Sequence, residues 1–353
     1  MLFVFEHRGP DPRHSGPVHA PHGCSGGQSG GILDAVSISV TSTAVRPRSH
    51  GFALLSDYFI LTKPRVSAMV VLTAAGGYFL GCLRSGISPF SVSLLEALFG
   101  IALVTAGSSA LNQAFERATD RRMPRTAQRP MAQHRIGLAS GLIAGFLLTF
   151  FGSLYLVWVT NLLTGTLTLL TAVSYVGIYT PLKRITRLNT FIGAFPGAAP
   201  PLIGWTAARG VIEWPAIALF AILFVWQFPH FMAIGWLYRN DYTSAGIRVT
   251  ATHHPVRRAA RRSVFQALFY AALMIPISLW PTYLHVTGIP YAIAAFALGL
   301  WYLYAALRFA RLARNPEDPA NRAVARNLLK VSVMYLPLLL LAMALNAQGR
   351  LLF

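Results

Sequence analysis

The chain is short of acid. Eleven Asp and Glu residues stand against 30 Lys and Arg in 353 residues, and charge of either sign makes up only 12% of the sequence. Soluble domains carry about twice that share, so a soluble globular fold is excluded as the main architecture. Cysteine is almost missing too. Cys24 and Cys82 are the two present, which excludes a disulfide framework and a cysteine-based metal site. No apolar stretch with a small-residue cleavage site follows a basic start, so a secretory signal peptide is not expected. Glu6, Asp11 and Asp34 argue against a mitochondrial transit peptide, which is poor in acid.

Apolar residues fill the space that charge leaves. They make up 54% of the chain, with a mean hydropathy of +0.52, and they come in runs of about eighteen or more, the length that crosses a bilayer core. The pattern predicts nine spans, roughly Val66–Leu83, Leu94–Leu111, Ile136–Leu156, Leu162–Tyr179, Phe191–Ala208, Pro215–Tyr238, Val264–Leu284, Ile289–Leu307 and Leu328–Leu345. Residues 1–50, rich in Gly, Pro, Ser and His, read as a disordered tail before a membrane domain over 55–350. The histidines of that tail, His7, His14, His19 and His22, are irregularly spaced and read as solvated rather than metal-binding.

The net charge of +19 would point a soluble chain toward nucleic acid. Here the cations fall between spans, where topology and anionic lipid account for them, and no nucleic-acid partner is expected. With the N-terminus inside, the inner segments hold 23 Lys and Arg and the outer ones three, Arg84, Arg209 and Arg350. A wrong span count would scramble that split. The carboxylates Glu116, Asp120 and Asp241 fall in the long inner loops after spans two and six, so chemistry is expected at the inner face.

Three constellations lie there. In "LNQAFERATDRRMPRTAQRP", Asn112, Glu116 and Asp120 stand at four-residue steps on one helical face. That row supplies hard oxygens of the kind Mg²⁺ accepts; it equally fits a helix extension salt-bridged to Arg117 or Arg121, and spacing does not choose. Arg121, Arg122, Arg125 and Arg129 follow, and guanidinium forks suit phosphate oxygens. In "YTPLKRITRLNTFIGAFPGAAPPLIGW", Tyr179, Lys183, Arg184 and Asn189 flank the mouth between spans four and five, ahead of a proline-rich span expected to line a cavity. In "FVWQFPHFMAIGWLYRNDYTSAG", Gln227 and His230 lie within span six, and Asp241 and Tyr242 at its inner end. A histidine there is a haem ligand, an acid or base, or a plain interhelical hydrogen bond.

Together these stretches resemble the UbiA superfamily of intramembrane prenyltransferases, and within it the branch that acts on haem. The likeness covers about residues 55–346. It implies an all-α polytopic fold, nine helices around a cavity open to the inner side. It implies Mg²⁺ on Glu116, Asp120 and Asp241, with Asn112 in the first motif. Arg125, Arg129, Lys183 and Arg184 would neutralise a leaving diphosphate, Tyr179 beside it; Asn189, Gln227, His230 and Tyr242 join them as substrate-binding candidates. It further implies farnesyl diphosphate and haem b as substrates and hand-over to haem A synthase or oxidase assembly; the acid in the tail favours a bacterial inner membrane over a mitochondrial one, and the cation split puts the N-terminus in the cytoplasm. Two departures stand out: Ala245 occupies the place of a paired carboxylate four residues after Asp241, and Arg248 intrudes into the run "IRVTATHHP". Another prenyl acceptor, such as a quinone precursor or chlorophyllide, is the nearest alternative. A secondary transporter would show inverted repeats and mid-membrane charge, whereas these charges cluster at one face.

Overall fold

The computed structural model describes residues 50–347. The tail before them, with its four histidines and Cys24, lies outside the described residues. Within them the chain is helical, with a single isolated bridge between Thr287 and Ala347 and no other strand pairing. The helices are α1 (His50–Leu61), α2 (Pro64–Ser85), α3 (Val92–Asp120), α4 (Leu138–Val159), α5 (Leu162–Val173) and α6 (Thr180–Ile185), the last two joined by a π-helical turn, Ser174–Tyr179. Then follow α7 (Asn189–Arg209), α8 (Trp214–Leu237), α9 (Arg239–Ser244), α10 (Val256–Tyr283), α11 (Ile289–Phe309) and α12 (Asn321–Leu345).

Eight of these are long and apolar enough to cross a membrane, counting α5 to α6 as one. The ninth expected span is present as α7, a helix of 21 residues, but it is not among the eight. Pro196, Pro200 and Pro201 lie inside it together with three glycines and alanines in plenty, which lowers its hydropathy without shortening it. α1 has only 12 residues, too few to span. Leu54, Leu55 and Phe59 are exposed along it, while Asp57 pairs with Arg135 at 2.9 Å.

Short connections make successive helices antiparallel neighbours. α3 packs chiefly on α4, α2 on α7, and α8 on α7, α10 and α12. α8 is the most buried of the eight spans. Large apolar side chains such as Phe146, Phe150, Trp158 and Phe265 stay exposed on the outer helices, the arrangement expected when the solvent is lipid. The α2–α7 contact is the tightest. A Cβ built at Gly204 would fall inside contact distance of the Ala74 carbonyl, so only glycine lets these backbones meet there. That approach draws proline-rich α7 against α2, and both helices then wall the cavity described below.

Gly204→Leu is therefore expected to cost about 3 kcal/mol or more by overpacking. Gly76→Ala, where an added Cβ meets nothing within 4 Å, serves as the control. Thermal melting of both variants in detergent checks this; equal midpoints would refute the close packing.

Candidate active site

The alternating helix directions bring five termini to one end of the bundle: the start of α2, the end of α3, the α5–α6 turn, the start of α7 and the end of α8. That end carries a polar cavity of about 150 Å³. Asn112, Glu116 and Asp120 line it from α3, and each meets a cation. Lys63 donates to Asn112 Oδ1. Lys183 Nζ sits 2.6 Å from Glu116 Oε1. Arg129 Nη1 bridges both Asp120 oxygens at 3.0 and 2.9 Å. Asn112 completes its bonding by donating to Thr180 Oγ1 at 2.9 Å. Carboxylates at the membrane edge are costly unless paired, and here every member of the row is paired.

The local backbone explains who reaches in. Lys63 holds a left-handed conformation, φ 51°, immediately before Pro64 opens α2. Such strain in a non-glycine residue costs about 1–3 kcal/mol and concentrates at functional sites. Lack of solvation, reinforced by the Arg129 cation, draws the Lys63 ammonium down to about 7. The π-helical turn widens the helix and sets the Tyr175 and Tyr179 rings in a stack 5.8 Å apart. π-turns are rare and mark functional positions. The Lys183 ammonium lies 4.5 Å over the Tyr179 ring. Gly193 leaves room for that ring, since any Cβ there would strike it.

The arginines divide by task. Arg125 and Arg129 line the cavity. Arg121 donates to the Ala132 carbonyl at 2.8 Å and holds the loop, and Arg122 is exposed. Arg125 lies over both Tyr238 and Tyr242, 4.8 and 4.7 Å from their ring centres. Arg184 turns the other way, onto Thr119, and does not line the cavity.

The expected metal set of Glu116, Asp120 and Asp241 is not brought together. Among the described residues no group of three His, Cys, Asp or Glu side chains is placed to hold a metal. Asp241 sits half-buried on α9 and does not line the cavity. The α3 row does fit a hard divalent cation on its own: three oxygen donors on one wall, already turned toward positive charge, with room for water and a phosphate ligand.

A second, apolar pocket of about 120 Å³ continues from the polar one. The two share Val66, Tyr175 and Tyr179. Gln227 and Phe231 wall the apolar side, with Gln227 donating to the Ala194 carbonyl at 3.1 Å. His230 is on neither wall. It is fully buried, stacked on Trp226, with Nδ1 2.7 Å from Ser332 Oγ. Since that hydroxyl donates to the Leu329 carbonyl, Nδ1 carries the proton.

The departure at Arg248 is a latch. Its backbone N–H donates to the Lys183 carbonyl at 2.8 Å, its guanidinium to the Ile185 carbonyl at 3.0 Å, and its own carbonyl accepts from Asn189. Ile247 and Val249 beside it close the cavity. Sequence reading missed Lys63, Tyr175 and this latch. Lys63 and Arg248 looked like topology cations, and the one hint for Tyr175 was its place four residues before Tyr179.

With this geometry in view, the sequence comparisons are decisive: the model of the UbiA prenyltransferase family matches residues 69–345. The chain belongs to that family. The protoheme IX farnesyltransferase of Koribacter versatilis (strain Ellin345) is 45% identical over 308 residues, 87% of this chain and 98% of the relative. That of Solibacter usitatus (strain Ellin6076) is 39% identical over 84% of this chain and all of the relative. Among solved structures, a digeranylgeranylglyceryl phosphate synthase superposes with a TM-score of 0.68 at 18% identity, over 85% of this chain and 99% of its own. A UbiA homologue from Archaeoglobus fulgidus, bound to GPP and Mg²⁺, gives 0.54 at 14%, over 81% and 99%. These two likenesses establish the fold. The chain is thus a multi-pass membrane prenyltransferase.

Arg248→Ala is expected to loosen the loop over residues 246–252 without melting the bundle. Hydrogen exchange should rise at least tenfold there and stay constant in α8. Unchanged protection in the loop would show that the latch holds nothing.

Proposed function

We propose that this enzyme is a protoheme IX farnesyltransferase, moving the farnesyl group of farnesyl diphosphate onto a vinyl group of haem b. One observation carries the transfer: a cation-rich polar cavity opens directly into an apolar pocket through Val66, Tyr175 and Tyr179. A prenyl diphosphate has that polarity, a charged head and an oily tail. The haem acceptor rests on the 45% identity to the Koribacter versatilis protein over nearly its whole length.

The head lies among Arg125, Arg129 and Lys183, whose N–H groups hydrogen-bond the oxygens that gain charge as the C1–O bond breaks. Asn112, Glu116 and Asp120 would hold magnesium, which would supply further charge stabilisation for the departing diphosphate. The ring faces of Tyr175 and Tyr179 border the junction where C1 is left as an allylic cation. The terminal vinyl carbon of haem bonds to C1, and the positive charge passes to the vinyl carbon next to the macrocycle. Water adds there and loses a proton, giving the hydroxyethylfarnesyl side chain of haem O.

The cationic end faces the cytoplasm, with the N-terminus on that side, in a bacterial inner membrane. The split of 23 inner to three outer Lys and Arg supports this orientation. The product is passed within the membrane to haem A synthase or to oxidase assembly. Residues 55–350 form the catalytic unit.

Membranes holding the protein, given haem b, farnesyl diphosphate and Mg²⁺, should yield haem that has gained one farnesyl group and one hydroxyl by mass. Glu116→Ala and Asp120→Ala should each lower that yield by about a thousandfold while inserting normally. Farnesyl release with no mass gain on haem would move the acceptor to another class.

A further inference from the structure

Arg125 is held in a way the reaction as described does not require. Its guanidinium lies over both the Tyr238 and the Tyr242 rings, 4.8 and 4.7 Å from their centres. Two aromatic faces fix the plane of the fork and leave its N–H edges for a ligand. Those edges are met in part, by the Tyr242 hydroxyl. Nε is buried with no hydrogen-bond partner, and the recorded partner of Nη2 is the sulfur of Met123 at 4.0 Å, a weak acceptor. The Tyr242 hydroxyl, beside the guanidinium, is also buried without a well-aligned partner. Both residues line the polar cavity that the Asn112, Glu116 and Asp120 row lines from α3. A buried donor left open is costly, so this fork is built for an anion.

The same stretch lacks what a second cation would need. Two carboxylates line the cavity, Glu116 and Asp120. Asp241 lies outside its lining, and the place four residues on is Ala245, a buried methyl group. Charge points the same way. Four cationic side chains line the cavity, Lys63, Arg125, Arg129 and Lys183, against those two carboxylates. A prenyl diphosphate brings about three negative charges. One divalent cation then leaves the filled site within about one charge of neutrality, whereas a second would overshoot by two more.

We propose that the diphosphate is held by a single divalent cation on the α3 row and, in place of a second one, by Arg125 clamped against Tyr238 and Tyr242. This deepens the farnesyl-transfer reading and rests on it for the ligand. It does not depend on which acceptor is used.

The test is a metal count on the wild-type chain without haem. Purified protein is mixed with Mn²⁺ and the unreactive S-thiolo analogue of farnesyl diphosphate, then washed and examined by electron paramagnetic resonance. One Mn²⁺ per chain, with the spectrum of an isolated ion, is expected. Two ions per chain, or the broadening of a coupled pair, would overturn the clamp while leaving farnesyl transfer to haem intact, since that reading fails on the haem assay instead. Arg125→Ala should weaken the analogue at least tenfold with the count still at one. Arg125→Lys, which keeps the charge and loses the fork, should recover only part of that affinity. Wild-type affinity in a folded Arg125→Ala would also overturn it.

Discussion

Everything at the cationic end depends on one constraint: a carboxylate at the edge of a bilayer must meet positive charge. Glu116 and Asp120 are fixed on α3 by helical spacing. What meets them decides how the other elements are placed. Lys183 comes from α6 and Arg129 from the loop after α3, while Lys63, from the turn before α2, meets the amide oxygen of Asn112 in the same row. Three segments far apart in sequence are thereby pinned to one helix face. The pairs also prepare the site. A bound cation can replace the ammonium and guanidinium groups at the oxygens, and these are then free to turn onto a diphosphate. A buried ion pair is weak evidence for stability, and an exchangeable set of pairs serves binding better than folding.

The bundle was legible because its determinants are local. Hydropathy runs and cation placement name the spans without tertiary knowledge. α7 shows where that reading thins: its glycines and prolines lower hydropathy, yet they also let the helix press against α2 at Gly204 and carry Gly193 beside Tyr179. Composition that weakens the span signal is the same composition that builds the cavity wall. The α3 row was legible for a similar reason, since four-residue steps share a helix face whatever packs against it.

The rest was not legible because it depends on folds without a period. The loop of 121–137 decides that Arg125 and Arg129 face inward while Arg121 binds a carbonyl, and no spacing rule separates them. Lys63 looked like one more cation at a span end. The π-turn at Ser174–Tyr179 adds a residue to a helical turn, which shifts Tyr175 against Tyr179 with no compositional mark. Asp241 had the residue type of a ligand, but α9 leaves it outside the cavity lining. Residue type gave chemistry in each case; orientation came from packing alone.

The two tyrosines at the junction reconcile demands that conflict. An allylic cation must be kept from water, yet the hydroxyl of haem O requires that water arrive one step later. A site sealed on all sides would meet the first demand and fail the second. Here the seal is uneven. Below the Tyr175–Tyr179 pair the pocket is apolar, with Val66, Val104 and Ile203 on its walls, so the farnesyl chain displaces water by filling it. Above the pair the cavity is polar and is covered by the Arg248-latched loop, which holds on backbone carbonyls rather than on an apolar seam. That polar side offers water a route to the junction. A diphosphate filling the cavity would stand between that route and C1. The boundary between the two demands lies at the ring stack set by the π-helical turn, where the polar and apolar linings meet.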